Sequence, residues 1–191
     1  PGAEEPEAYS YDPDHPVPTR GGSVLFDTPI GSHDQPGLEA RDDVLVYTTA
    51  PLDRAVEVTG PVKVVLYAAS DAPDTDWTAK LIDVYPDGAA YNLCDGIVRA
   101  RYRDAEAAAE LIEPGRVYRY KIDCWVTSNV FLPGHSIRLH ISSSNFPRFD
   151  RNPNTGHAFG DDAELAIARQ TVYHDAERAS HVLLPIIPAD G

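Results

Sequence analysis

Trp77-Thr78-Ala79-Lys80-Leu81-Ile82-Asp83-Val84-Tyr85 is the stretch that decides the fold class of this chain. Trp77, Ala79, Leu81, Asp83 and Tyr85 share one face, and Thr78, Lys80, Ile82 and Val84 share the other. A side-chain period of two belongs to a strand and one of 3.6 to a helix, so the run reads as a strand. Pro86-Asp87-Gly88 then supplies a turn. The alternation recurs over residues 118–125, 136–142 and 97–102, and Val182, Leu184 and Ile186 repeat it. Residues 44–48 and 62–68 are more uniformly apolar, the pattern of strands covered on both faces. Further turns fall at Thr59-Gly60-Pro61, Glu113-Pro114-Gly115 and Leu132-Pro133-Gly134. Helical composition is confined to residues 104–112 and 161–168, both short. Eight to ten strands with one or two short helices predict an all-β jelly-roll β-sandwich. The length exceeds the roughly 100 residues of a seven-stranded immunoglobulin sandwich.

The whole composition agrees with one domain of this kind. The chain has 191 residues, 42% hydrophobic and 24% charged, enough for a single well-packed core. Asp outnumbers Glu 20 to 10, and 13 Gly and 17 Pro add to a surplus of turn formers. A net charge of −14 speaks against a nucleic-acid or anionic-membrane partner, because phosphate repels it. No apolar run approaches the roughly 18 residues of a membrane span. The two cysteines, Cys94 and Cys124, form neither a disulfide framework nor a zinc spacing. Residues 1–15 carry five acidic side chains and no Lys or Arg, and read as an acidic arm or linker ahead of a domain over 16–191. The N-terminus lacks a signal-peptide pattern and the chain lacks Met. These features lead us to expect a bacterial cytoplasmic module cut from a longer protein.

Catalytic signatures are missing. Gly21-Gly22-Ser23-Val24-Leu25 lacks the final Gly of a nucleophile elbow and leads into a strand. Ser142-Ser143-Ser144 lies near His140, yet neighbours on one strand do not make a triad. The seven His are scattered and read as surface polarity, with His135 and His140 on opposite faces. Asp71, Asp74 and Asp76 resemble half a calcium loop without its Gly and Glu. We therefore assign no catalytic residue, metal or cofactor. The charged residues Arg41, Asp74, Asp76, Asp83, Arg99 and Arg101 fall at positions a sandwich partly covers. Covered charges must be paired, so these six are candidates for an Arg–Asp network stitching strand ends, with ligand binding as the rival.

Several blocks resemble a known family. They are Tyr11-Asp12-Pro13, Pro16-Val17-Pro18-Thr19 with Gly21-Gly22, Arg41-Asp42-Asp43-Val44-Leu45, the run from Asp74 to Gly88, Asp95-Gly96-Ile97-Val98-Arg99, Phe131-Leu132-Pro133-Gly134-His135 and Ser142-Ser143-Ser144-Asn145-Phe146-Pro147. Together they resemble the C-terminal domain of X-Pro dipeptidyl-peptidase-like and cocaine-esterase-like serine hydrolases. The resemblance implies a jelly roll similar to galactose-binding domains. It also implies a triad that lies elsewhere, in an α/β-hydrolase catalytic domain. This chain would then be a non-catalytic module that packs on the catalytic domain and its helical cap, stabilises them and walls the substrate cleft. On that basis Leu25 and Phe26 are candidates for reaching the cleft, with ordinary first-strand core residues as the alternative. Asn145, Phe146 and Arg148 belong to a loop of interface-like composition, since aromatics and Arg are enriched at contacts. A homodimer through the same surface is a further expectation. The rival function is a stand-alone carbohydrate-binding jelly roll.

Overall fold

The computed structural model describes residues 2–23, 30–104, 108–158, 160 and 163–188. Among these described residues ten strands form: β1 (Glu7–Tyr11), β2 (Leu45–Thr48), β3 (Val56–Ser70), β4 (Asp76–Val84), β5 (Ala90–Arg99), β6 (Tyr118–Phe131), β7 (Ser136–Ser142), β8 (Ala168–Tyr173), β9 (His181–Leu183) and β10 (Ile186–Ile187). One antiparallel sheet runs β1-β8-β3, with β6 on the other edge of β3; the second runs β2-β7-β4-β5. The orders 1-8-3-6 and 2-7-4-5 are those of a jelly roll, two Greek keys wrapped into a sandwich. β9 and β10 extend the first sheet by pairing with β3 beyond the end of β8.

The core lies between the sheets because each strand presents every second residue inward. Val62, Val64, Leu66 and Ala68 of β3 meet Trp77, Ala79 and Leu81 of β4, with Tyr120, Ile122 and Phe131 of β6. The Trp77 and Tyr120 rings pack with centroids 5.6 Å apart. Gly96 seals one side of the sandwich: a Cβ there would overlap the Asp123 carbonyl oxygen of β6, so β5 and β6 approach closely only because the position lacks a side chain.

Both faces of β4 are buried along its whole length. The reason is a third layer. Residues 12–44 and 143–167 connect β1 to β2 and β7 to β8, and parts of both lie over the outer face of the second sheet. They are tied together by Thr19 N–H donating to Phe146 O (2.6 Å) and Phe146 N–H donating to Val17 O (2.9 Å). Val17, Leu38 and Val44 form a small apolar cluster within this layer.

Four details depart from the sequence reading. β2 is an edge strand with alternate residues half-exposed, and is not covered on both faces. Residues 100–102 form a 3-10 turn rather than continuing β5. The described parts of 104–112 and 161–168 are not helical, and Ala168 opens β8. The short α-helix is instead α1 (Pro36–Glu39), started by Pro36 at its first turn. Within the acidic N-terminal segment, Glu7–Tyr11 forms edge strand β1, whose Tyr9 and Tyr11 reach the core.

Candidate functional site

The outer face of the second sheet carries a row of polar side chains set by register. His140, Lys80 and Asp95 lie side by side on β7, β4 and β5, with the apolar Val46 of β2 next to His140. Buried polar groups need partners, and the third layer supplies them. Lys80 Nζ donates to Gln35 Oε1 (3.0 Å). The Gln35 amide in turn donates to the carbonyls of His33 (2.7 Å) and Arg20 (3.0 Å). Arg148 pairs with one Asp95 oxygen, and Asn145 Nδ2 donates to the other (2.9 Å). Glu39 receives Arg138 (2.6 Å) and faces His140 Nε2 (3.2 Å).

Burial sets the electrostatics of this row. It lowers Lys80 to about 8, opposed by the Asp95 charge and reinforced by Arg148. It lowers His140 to about 3, with the positive charges of Lys80 and Arg138 adding to the effect. Both groups sit where a positive charge is poorly tolerated.

Above Asp95 and Arg148 runs the Gly21-Gly22 segment. Gly22 and Gly31 exchange backbone hydrogen bonds of 2.6 and 3.0 Å, pinning together the two ends of residues 23–30. A Cβ at Gly22 would come within 2.9 Å of Arg148 Nη1, and Gly22 has a φ of +93°, so the position favours glycine twice over. The two candidate cleft surfaces, around Gly22 and around Asn145, are thus brought into contact. Leu25 and Phe26 themselves lie outside the described residues. Asn145 is buried, Arg148 is half-buried in its ion pair, and Phe146 is exposed.

The charged candidates divide into separate groups. Asp76 receives Arg99 in a two-pronged pair (2.8 and 3.0 Å), and Asp74 receives Arg101 (2.8 Å). Asn152 Nδ2 donates to both carboxylates at 2.9 Å and so joins the pairs. Burial raises Asp76, opposed by Arg99 and Asn152. Asp83 stands at the far end of β4 and meets His135 Nδ1 at 2.8 Å, away from this network. Arg41 makes a local fork with Asp43 (both 2.7 Å) and does not reach Asp74 or Asp76. His135 and His140 are buried and partnered, not surface polarity: long-range layers cover them.

Sequence reasoning passed over Lys80, Asp95 and Gln35, and took Asn152 only as part of the loop over 145–154. Lys80 between Ala79 and Leu81 on a strongly patterned strand was a usable signal, because a lone Lys there must be covered or solvated. Gln35 and Asn152 gave none, since only the tertiary fold brings their loops onto the sheet.

The serine run performs structural work. Ser142 Oγ bonds Thr78 Oγ1 (2.6 Å), Ser143 Oγ bonds the Tyr9 hydroxyl (2.9 Å), and Ser144 Oγ accepts from Val17 N–H (2.8 Å). Cys124 is buried in β6, and burial also raises the Cys94 thiol to about 12, so both are poor nucleophiles. The strand orders and the serine run bonded within the fold define the class: an antiparallel jelly-roll β-sandwich domain.

Comparison with known proteins agrees with that class. Residues 3–183 match the X-Pro dipeptidyl-peptidase C-terminal non-catalytic domain, and the chain belongs to that family. It is 50% identical over 189 residues to a cocaine esterase of Rhodococcus sp. (strain MB1 Bresler), covering 97% of this chain and 33% of the esterase. Among solved structures it resembles an aminopeptidase from a marine sediment Thaumarchaeota archaeon, with TM-score 0.88 and 34% identity over 98% of this chain and 34% of the other. It also resembles an α-amino acid ester hydrolase, with TM-score 0.84 and 29% identity over 95% of this chain and 32% of that one. The chain spans about a third of the length of these relatives. Among the described residues, no helix is long and apolar enough to cross a membrane.

Proposed function

We propose that this chain packs on the α/β-hydrolase catalytic domain and helical cap of a serine hydrolase, and that residues 22–26 wall part of its substrate cleft. One observation carries the packing half of this reading. Trp125 is 70% exposed and Val126 68% exposed, and the register sets Val126 beside Pro61 and Val130 beside Glu57, with Ile187 on the far side of Glu57, on the outer face of the first sheet. Leu183, also exposed, extends the same face beside Lys63. Glu57, Thr59, Lys63 and Ser128 share this face, and large exposed apolar side chains gathered among polar ones on one face mark an interface. Trp125 is moreover held at a φ of +65°, a strained conformation for a non-glycine residue, at the irregularity between Pro61 and Lys63 in the β3–β6 pairing.

The cleft half rests on the clamp at Gly22 and Gly31, braced by Arg148 and Asp95, which gives residues 23–30 a fixed base. The relatives include an esterase, an aminopeptidase and an ester hydrolase, so the substrate class is an ester or a peptide amide.

The test uses the full-length hydrolase containing this chain. Leu25→Ala with Phe26→Ala is expected to raise KM about tenfold, a loss of about 1.4 kcal/mol of binding, with the melting temperature unchanged. Trp125→Asn with Val126→Thr is expected to lower the melting temperature of the enzyme but not that of the isolated chain. Unchanged KM in the first variant and unchanged melting in the second would refute the two halves separately. Micromolar binding of the isolated chain to a member of a sugar panel would favour the carbohydrate-binding alternative.

A further inference from the structure

Gln35 is fully buried, although it stands just ahead of the short helix α1 in a connection that crosses the outer face of the second sheet. A glutamine amide offers both donors and an acceptor, and burial requires that each be used. Lys80 Nζ can only donate, so Gln35 Oε1 faces it (3.0 Å) and Nε2 faces the other way. There its N–H groups serve three acceptors: the His33 carbonyl (2.7 Å), the Arg20 carbonyl (3.0 Å) and Asn92 Oδ1 (3.2 Å).

These acceptors stand on both stems of residues 23–30 and on the strand beneath. Arg20 lies on the incoming stem, just before the Gly21-Gly22 pair, and His33 on the outgoing stem, just after Gly31-Ser32. The outgoing stem is laid along β5: Gln35 N–H donates to Ala90 O (2.9 Å), and His33 N–H donates to Asn92 Oδ1 (2.8 Å). The incoming stem is drawn to it by the Gln35 amide and by the Gly22–Gly31 pair. The packing is close, for a Cβ at Gly21 would lie 2.5 Å from Gly31 O and 2.7 Å from Asn92 Oδ1. One side chain thus ties two stems to each other, to β5 through Asn92 and to β4 through Lys80. Lys80 has a paired strand on either side, and an anchor on strands holds position more precisely than one on loops.

We propose that Gln35 is a positioning residue for substrate binding: it sets where the Gly22–Gly31 clamp, and with it the cleft wall over 22–26, stands above the sheet. The effect on substrate rests on the reading that residues 22–26 wall the cleft; the hold on the clamp does not.

Gln35→Glu isolates this role. The carboxylate keeps an acceptor for Lys80 but presents a second acceptor to three oxygens that need donors. The test uses the full-length hydrolase containing this chain, with 4-nitrophenyl butyrate as substrate. The variant is expected to raise KM about fivefold and leave kcat within about twofold, because a displaced wall weakens binding without touching the reacting groups. Amide hydrogen exchange over residues 20–33, followed by mass spectrometry, should quicken about tenfold while β4 and β7 keep their rates. In a background of Leu25→Ala with Phe26→Ala, Gln35→Glu should add no further rise in KM. Unchanged exchange over 20–33 overturns the hold on the clamp. Unchanged KM in Gln35→Glu, where Leu25→Ala with Phe26→Ala raises it, overturns the positioning role alone, as does a further rise in that background. Unchanged KM in both variants overturns the cleft reading and the role of Gln35 toward substrate together. Should Gln35→Glu fail to fold, Asn92→Ala removes the acceptor shared by Gln35 and His33, leaves Lys80 with its partner, and is read in the same way.

Discussion

His140 is a histidine that folding compels to stay neutral. Its folded value near 3 lies below the ordinary 6.5, so between those limits the unfolded chain binds a proton that the folded chain refuses. Stability from this group is therefore complete above pH 6.5 and falls as pH drops through the window, at about 1.4 kcal/mol per pH unit. Denaturant melts from pH 7 to 4 should show this slope, and His140→Gln should flatten it. A second consequence concerns Asn152, whose one amide group serves two buried carboxylates. Asn152→Ala leaves Asp74 and Asp76 each short of a hydrogen bond and should cost about 1–3 kcal/mol in chemical denaturation. The sequence offered Arg99, Arg101, Asp74 and Asp76 only as members of a wider network, and the pairing of Arg99 with Asp76 and of Arg101 with Asp74 comes from the fold. The attachment of Asp83 to His135 was not legible either, because strand position alone does not say which end of β4 meets which loop.

At the scale of elements, β5 and β6 depend on Gly96. Gly96→Ala pushes a methyl into the Asp123 carbonyl and should separate these strands, at a cost of about 1–3 kcal/mol or more, measurable as a shift in urea midpoint. The strands that read clearly, β4, β6 and β7, each place a continuous apolar row against the core. β1 and β8 read poorly for a common reason. Their inward positions include Tyr9 and Gln170, whose polar tips find partners in Ser143 and Thr75, so the apolar alternation is broken although both residues are buried. The layer formed from 12–44 and 143–167 escaped sequence reading for a different reason. Its described residues have almost no regular structure of their own, and they are tied together by hydrogen bonds between segments more than a hundred residues apart.

Taken whole, the described residues form a closed polar face, a sealed edge, an open edge and an outer face on which Trp125, Val126, Val130 and Leu183 stand exposed. Exposed large apolar side chains of this kind are what a free-standing domain would avoid. Trp125→Asn keeps a residue type that tolerates positive φ, so the isolated chain should change by no more than about 0.5 kcal/mol. Association with the hydrolase body should weaken in the same variant, as read by co-purification or by the melting temperature of the complete enzyme. The charge of −14 sits mostly on the remaining surface and serves solubility. The paired backbone at Gly22 and Gly31 has a consequence of another kind, for how such a protein can change. Its two hydrogen bonds fix the points at which the chain leaves and rejoins the fold on either side of residues 23–30. Doubling the length between those points adds only about 0.6 kcal/mol of closure entropy. If residues 22–26 wall a cleft, as proposed, selectivity can be rewritten over eight positions while the jelly roll beneath keeps its sequence.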